Sequence, residues 1–153
     1  MNWDLKSYFP EFKGPKMVSF KKKIIREISK LLDRASKISA IGRGNAEQWE
    51  AVLLAFEDLT ARYSHISSYV GCLASCDALN PEYHREEADM ALIGARFSNV
   101  EILLLQAFRD TDEKTFKAFT RRPRLCGIAY YLNRMKEASR HMMSKDMECL
   151  AVE

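Results

Sequence analysis

Residues 73–90 read LASCDALNPEYHREEADM, and the helical pattern on either side of this stretch is interrupted at Asn80-Pro81-Glu82. Asparagine is a preferred helix N-cap, and proline is favoured at the first helical position. An acidic residue in the first turn is favoured by the helix dipole. The sequence therefore predicts one helix that ends near Leu79 and another that begins at Pro81.

Both of these helices are predicted to be long. The first runs from the cap Asn45, with Gln48 completing a capping-box pattern, to about Leu79, and the second runs from Pro81 to about Asp110. At about 1.5 Å per residue each helix spans roughly 45–50 Å. Since almost nothing joins them, we expect an antiparallel helical hairpin. The apolar face of the earlier helix comprises Trp49, Val52, Leu53, Phe56, Leu59, Tyr63, Ile66, Val70 and Leu73.

Helical patterns also flank the predicted hairpin. Residues 1–16 are predicted to be an extended N-terminal segment, because Pro10 and Pro15 oppose a helix, and a helix is expected from about Met17 to Ile41. A short helix should begin at 111–113 and break at 121–124, before another over about residues 125–141. The predicted fold is all-α, an elongated helical bundle built on a long antiparallel helix hairpin, with residues 17–153 as one helical lobe.

Composition excludes several classes of protein. The chain has 153 residues, 47% hydrophobic and 29% charged, which is typical of one globular domain. It lacks a signal-peptide pattern and any apolar run near the ~18 residues of a membrane helix. Four cysteines are too few for a disulfide scaffold. We therefore expect a cytoplasmic protein that does not bind a membrane.

Charge alternates along the chain. Residues 1–44 carry 11 Lys/Arg against 4 Asp/Glu, residues 45–110 carry 4 against 11, and residues 111–153 carry 9 against 6. This pattern favours docking between basic and acidic helices. It argues against one dominant basic surface, so no nucleic-acid partner is expected.

The histidines do not form a catalytic motif in the sequence. None of His65, His84 and His141 belongs to an H-E-x-x-H, and none follows a glutamate by three residues. Glu137 and His141 share a helix face, which we interpret as a surface ion pair rather than a metal site. No residue is predicted to be catalytic, to bind a cofactor or to bind a metal.

The cysteines are interpreted as free thiols. Cys72 and Cys76 are four residues apart on one helix, a spacing that is poor for a disulfide, and no second pair completes a zinc site. We expect both to be buried. Cys126 and Cys149 have no identifiable partner in the sequence.

Two groups of basic residues are candidate contact sites. The first predicted helix carries a basic stripe that could contact nucleic acid, a lipid surface or an acidic neighbour, although a solvated helix face is the simpler interpretation. Arg121, Arg122 and Arg124 could hold a phosphate or carboxylate, or form a polar loop around Pro123. The stripe comprises Lys23, Arg26, Lys30, Arg34 and Lys37.

Ser144 followed by 145–148 is typical of a helix start, with acidic residues in the first turn. Because a helix of barely two turns is marginal alone, we expect the protein to continue beyond Glu153.

Taken together, several segments resemble the N-terminal helical region of oligoendopeptidase F-type zinc peptidases, relatives of thimet oligopeptidase. The similarity spans essentially the whole chain, and its motifs concern packing and capping. It is carried by Trp3-Asp4-Leu5, Tyr8, Trp49, Leu53, Phe56-Glu57-Asp58-Leu59, Tyr69, 75–80, Phe97-Ser98, Tyr131-Leu132, Arg134, Arg140-His141, Ser144 and 148–151.

This resemblance implies a function for the whole protein. The family's zinc ligands, an H-E-x-x-H and a downstream glutamate, lie in a later catalytic region that this chain does not contain. The chain would form one wall of a channel that admits short peptides, would partner the catalytic zinc lobe, and would be inactive alone. The alternative is a free-standing helical protein-interaction module, and a weaker one is nucleic-acid contact through the first helix.

Overall fold

A computed structural model describes residues 4–142 of the chain. This part is 76% helical and contains no strand, which confirms the all-α class for the described residues. A short 3-10 turn, Cys126–Ile128, precedes the last helix. The helices are α1 (Pro15–Ser36), α2 (Ala46–Cys76), α3 (Pro81–Asp110), α4 (Glu113–Thr120) and α5 (Ala129–Ser139).

These helices divide between two compact units. Within the described part, the first unit contains residues 4–30 and 57–97, and the second contains 31–56 and 98–142. α1, α2 and α3 each contribute residues to both units. The long antiparallel hairpin stays a prediction.

The first unit has an apolar core to which the N-terminal segment, α1, α2 and α3 all contribute. Polar contacts link the same helices. The Tyr63 hydroxyl of α2 donates to the Met90 carbonyl of α3 at 2.9 Å, and Arg62 of α2 pairs with Glu27 of α1. The buried side chains include Phe9, Met17, Ile24, Ile28, Leu59, Ile66, Val70, Met90 and Phe97.

The second unit has its own core, formed by the end of α1, the start of α2, the end of α3, and all of α4 and α5. The Phe108 and Phe116 rings pack edge to face with centroids 5.2 Å apart, joining α3 to α4. The buried side chains include Leu31, Trp49, Val52, Val100, Leu104, Phe108, Phe116, Phe119, Leu125, Leu132 and Met135.

Two predicted helix starts are confirmed. The Glu82 amide donates to Asn80 Oδ1 at 3.0 Å, so Asn80 caps α3 and Pro81 is its first residue. Asp112 caps α4 in the same way by accepting from the Thr115 amide at 2.9 Å. That contact lowers the pKa of the Asp112 carboxyl, because hydrogen bonds from Thr115 favour its ionised form.

The N-terminal boundary of α1 differs from the prediction. Pro15 begins α1 instead of blocking it, since the first helical position needs no amide proton. The preceding residues 4–14 are non-helical, as predicted, but they fold into turns rather than an extended strand. One of these turns is closed by the Tyr8 amide, which donates to the Leu5 carbonyl at 2.9 Å.

The predicted C-terminal end of α1 at Ile41 is wrong, because the helix ends at Ser36. In the loop that follows, the Asn45 side chain satisfies backbone polar groups. Asn45 Oδ1 accepts from the Gly42 amide at 2.8 Å, and its amide nitrogen donates to the Ala40 carbonyl at 3.0 Å. Asn45 thus binds the loop before it, which is a different contact from the predicted capping box.

Two further helices end earlier than predicted. α2 ends at Cys76 rather than Leu79. The helix expected over residues 125–141 is a 3-10 turn followed by α5, which ends at Ser139. The helix start predicted at Ser144 lies outside the described residues, as do Trp3 and Cys149.

Candidate functional site

Among residues 4–142 no group of three or more His, Cys, Asp or Glu side chains is placed to hold a metal ion. His65 lies in the first unit among aromatic rings: it stacks on Tyr8 with centroids 4.8 Å apart and meets the edges of Phe9 and Phe20. The carboxylate of Glu137 lies 3.1 Å from the guanidinium of Arg134, and the two form an ion pair on the surface of α5. The predicted Glu137–His141 ion pair stays a prediction.

His84 lies at the start of α3, on the surface of the first unit. Its Nε2 is 2.9 Å from the Ala78 carbonyl and its Nδ1 is 3.5 Å from Glu87 Oε2. The hydrogen bond to the Ala78 carbonyl, aided by Glu87, raises the pKa of His84 above its ordinary value.

A raised pKa means that protonated His84 stabilises the fold. We expect this stabilisation to be complete below about pH 6.5, the unfolded value, and to be lost as pH rises through the higher folded pKa. Titration of the imidazole by NMR should give a midpoint above that ordinary value, and Glu87→Gln should lower it, whereas the matched variant Glu47→Gln on α2 should not. A midpoint at or below the ordinary value would contradict the assignment.

The cysteine prediction is partly wrong. Cys72, Cys76 and Cys126 are free, as expected, but Cys72 is only half-buried and Cys76 is exposed. Cys76 is the last residue of α2, and the residues that follow it, 77–79, are exposed as well.

The arginine loop after α4 binds a carboxylate of the protein itself. Arg122 Nε pairs with the buried Glu50 of α2, and Arg124 lies 3.6 Å from the same carboxylate. Neither hypothesis from the sequence identified this partner. The available signal was Glu50 itself, an acidic residue directly after the apolar Trp49 on α2.

The basic stripe of α1 is exposed. Lys37 pairs with Asp33 at 2.7 Å on its own helix. Lys23, Arg26, Lys30 and Arg34 form no ion pair with any acid in the described part of the chain. Their charge is therefore available to a partner.

A groove between the start of α2 and α4 is a binding candidate in the second unit. We call it the α2–α4 groove; its volume is about 530 Å³, within the range of small-ligand sites. Ile41 and Phe119 supply apolar walls. Arg43, Lys114 and Arg122 supply three positive charges, against the one carboxylate of Asp112. Arg43 and Lys114 have no ion-pair partner among the described residues, so they could receive a carboxylate.

α3 is long and apolar enough to cross a membrane, by length and composition alone. A core helix of a water-soluble protein meets the same test, and Met90, Phe97, Val100 and Leu104 of α3 are buried within the two units.

Comparison with known proteins identifies no relative. No protein-family model, no curated protein and no solved structure matches the chain.

Proposed function

We propose that this chain is the N-terminal helical region of an oligoendopeptidase F-like zinc metallopeptidase that hydrolyses short peptides. In this proposal it forms one wall of the substrate channel and supports the catalytic lobe, and it is inactive alone. The zinc would be held by the H-E-x-x-H and downstream glutamate of that lobe, where the metal activates water for attack on the peptide bond. The partners are therefore peptides and the zinc lobe rather than nucleic acid or a membrane.

The proposal depends on the sequence resemblance. The α5 helix adds a physical reason to expect a covering lobe. Within the similar segment Tyr131-Leu132, Leu132 is fully buried, whereas Tyr130 and Tyr131 are 80% and 55% exposed. Exposed tyrosine pairs are typical anchors at interfaces, because the ring supplies contact area at low entropic cost. A covering lobe would give these rings a partner.

The α2–α4 groove supports contact with peptide substrates. A short peptide offers apolar side chains and a C-terminal carboxylate, which match the apolar walls at Ile41 and Phe119 and the cations Arg43 and Lys114. Arg122 is already held by Glu50, so it fixes the shape of the groove. Cytoplasmic location, also part of the proposal, agrees with the free thiols of the described chain.

We expect that the chain alone does not cleave peptides. Purified protein supplied with zinc should leave a quenched fluorescent oligopeptide intact, because the catalytic ligands lie elsewhere in this proposal. Zinc-dependent cleavage that a chelator abolishes would overturn the statement that the chain is a non-catalytic wall.

Peptide binding should depend on the groove. Arg43→Glu combined with Lys114→Glu should weaken binding of a short unstructured peptide with a free C-terminus roughly tenfold by calorimetry. The same peptide with an amidated C-terminus should bind more weakly and should lose little in this variant. Arg96→Glu with Lys117→Glu, which changes net charge equally away from the groove, is the matched control. Equal losses in both variants would contradict the assignment.

One observation also favours the alternative, a free-standing helical protein-interaction module. The exposed rings of Tyr130 and Tyr131 could anchor an unrelated protein as well as a catalytic lobe. Such a module would bind its partner without affinity for short peptides, so the calorimetric experiment separates the two functions.

A further inference from the structure

A hollow in the first unit is lined by apolar and charged side chains. Met17, Val18 and Ile25 of α1 form its apolar floor and its volume is about 380 Å³; the charged lining residues are Lys13, Lys21, Lys22 and Glu86. Met17 is buried, whereas Val18 is 38% exposed. Val18 and the partly exposed Ile25 are therefore the apolar side chains that a partner could reach here, and lysines flank them.

A second hollow adjoins the first along the same helix. It has a volume of about 550 Å³ and shares Val18 and Lys22 with the first, adding Lys23 and Arg26. We call the two hollows together the α1 groove, defined by Met17, Val18, Lys22, Lys23, Ile25 and Arg26.

Some of the lysines around the α1 groove have acidic partners within the protein, and others do not. Lys13 pairs with Glu82, and Lys21 lies 2.5 Å from Glu86 and 3.2 Å from Asp89. Acids of α3 therefore neutralise Lys21 of α1 and Lys13 just before that helix.

On the other side of α1 the cations have no such partner. Lys22, Lys23 and Arg26 form no ion pair with any acid of the described chain, and all are exposed. The groove therefore presents three uncompensated charges beside an apolar floor.

We propose that the α1 groove docks an acidic segment of a partner protein that carries an aliphatic side chain. The aliphatic side chain lies on Val18 and Ile25, above the buried Met17, and the flanking carboxylates pair with Lys22, Lys23 and Arg26. Lysines of α1 already pair with acids inside the protein, as Lys21 does with Glu86 of α3. The partner's carboxylates would pair with the remaining cations of α1 in the same way.

The shape and chemistry of the groove favour a protein over the other anionic macromolecules. Nucleic acid offers phosphates, which give the apolar floor at Val18 and Ile25 no partner. A membrane-surface helix presents large residues such as Trp, Phe and Leu to the lipid, whereas the exposed apolar residue of this surface is Val18.

Binding of a defined probe to the full chain tests the proposal. The probe is a fluorescein-labelled peptide of glutamates with leucines at every fourth position, amidated at its C-terminus so that it lacks the C-terminal carboxylate proposed to bind in the α2–α4 groove. Lys22→Glu with Lys23→Glu and Arg26→Glu should weaken its binding roughly tenfold to a hundredfold in fluorescence anisotropy. Arg96→Glu with Lys117→Glu and Arg121→Glu is the control with the same change in charge, and it should bind like the unmodified chain.

A second variant tests the apolar floor. Val18→Asp should weaken the probe severalfold even in high salt, where surface charge pairs are screened. Because Val18 is already partly exposed, the variant should keep its helical circular dichroism. Equal loss in the control triple variant, or no loss in Val18→Asp, would overturn the proposal. So would tighter binding of duplex DNA or of phosphatidylserine–phosphatidylcholine vesicles than of the probe.

Discussion

Lys136→Met should lower the free energy of unfolding by about 3 kcal/mol, because it removes two charge-assisted hydrogen bonds and leaves their acceptors buried. Lys136 is only 6% exposed, and its Nζ donates to the carbonyls of Phe108 and Thr111, at and just beyond the last turn of α3. The ammonium also lies 5.4 Å from the centroid of the Phe116 ring. A cation at this end of a helix is favoured by the dipole as well.

Chemical denaturation of the variant measures this loss directly. Lys117→Met on α4 is the matched control: this lysine is exposed, so its replacement should change stability by less than about 0.5 kcal/mol. Equal stability of the two variants would show that Lys136 does not hold the end of α3. If Lys136→Met fails to fold, Thr111→Val tests the same region, since Thr111 Oγ1 accepts from the Ile41 amide at 3.0 Å.

Trp49→Ala should cost about 3–5 kcal/mol, the usual range for truncating a buried aromatic side chain. The ring is 1% exposed in the core of the second unit, and its Nε1 donates to the Ser39 carbonyl at 2.7 Å. Truncation therefore leaves a cavity and also removes the contact that holds the loop between α1 and α2.

Two further variants separate these contributions. Trp49→Phe keeps much of the ring volume but loses the hydrogen bond, so a smaller loss of about 1–2 kcal/mol is expected. Tyr130→Ala removes an aromatic ring that is mostly exposed and should change stability little. Thermal unfolding of Trp49→Ala at the temperature of the unmodified protein would contradict the central role of this side chain.

Local chemistry made the start of α3 and α4 predictable from sequence. Asn80 and Asp112 have short side chains that bind the amide two or three residues later, and this contact needs no distant partner. The apolar spacing of α2 also predicted its buried side chains, such as Trp49, Val52 and Ile66.

Distant contacts explain what the sequence did not predict. α1 ends before Lys37 because the next residues bind elsewhere: Ser39 accepts from Trp49, and the Ile41 amide donates to Thr111, seventy residues later in the chain. Local periodicity contains no information on such partners.

The same limit applies to the candidate site. The partnership of Glu50 with Arg122 and the burial of Lys136 depend on helices far apart in sequence. Arg43 and Lys114, which line the α2–α4 groove, lie in separate segments and form no motif. The groove is visible only once α4 lies beside the start of α2.

We propose that these helices support a zinc-dependent peptidase whose reacting groups belong to another part of the same polypeptide. The coding sequence that follows the codon for Glu153 tests this proposal. An open reading frame that encodes H-E-x-x-H with a glutamate further downstream is expected. A stop codon at that position, or a continuation that encodes no such motif, would contradict it.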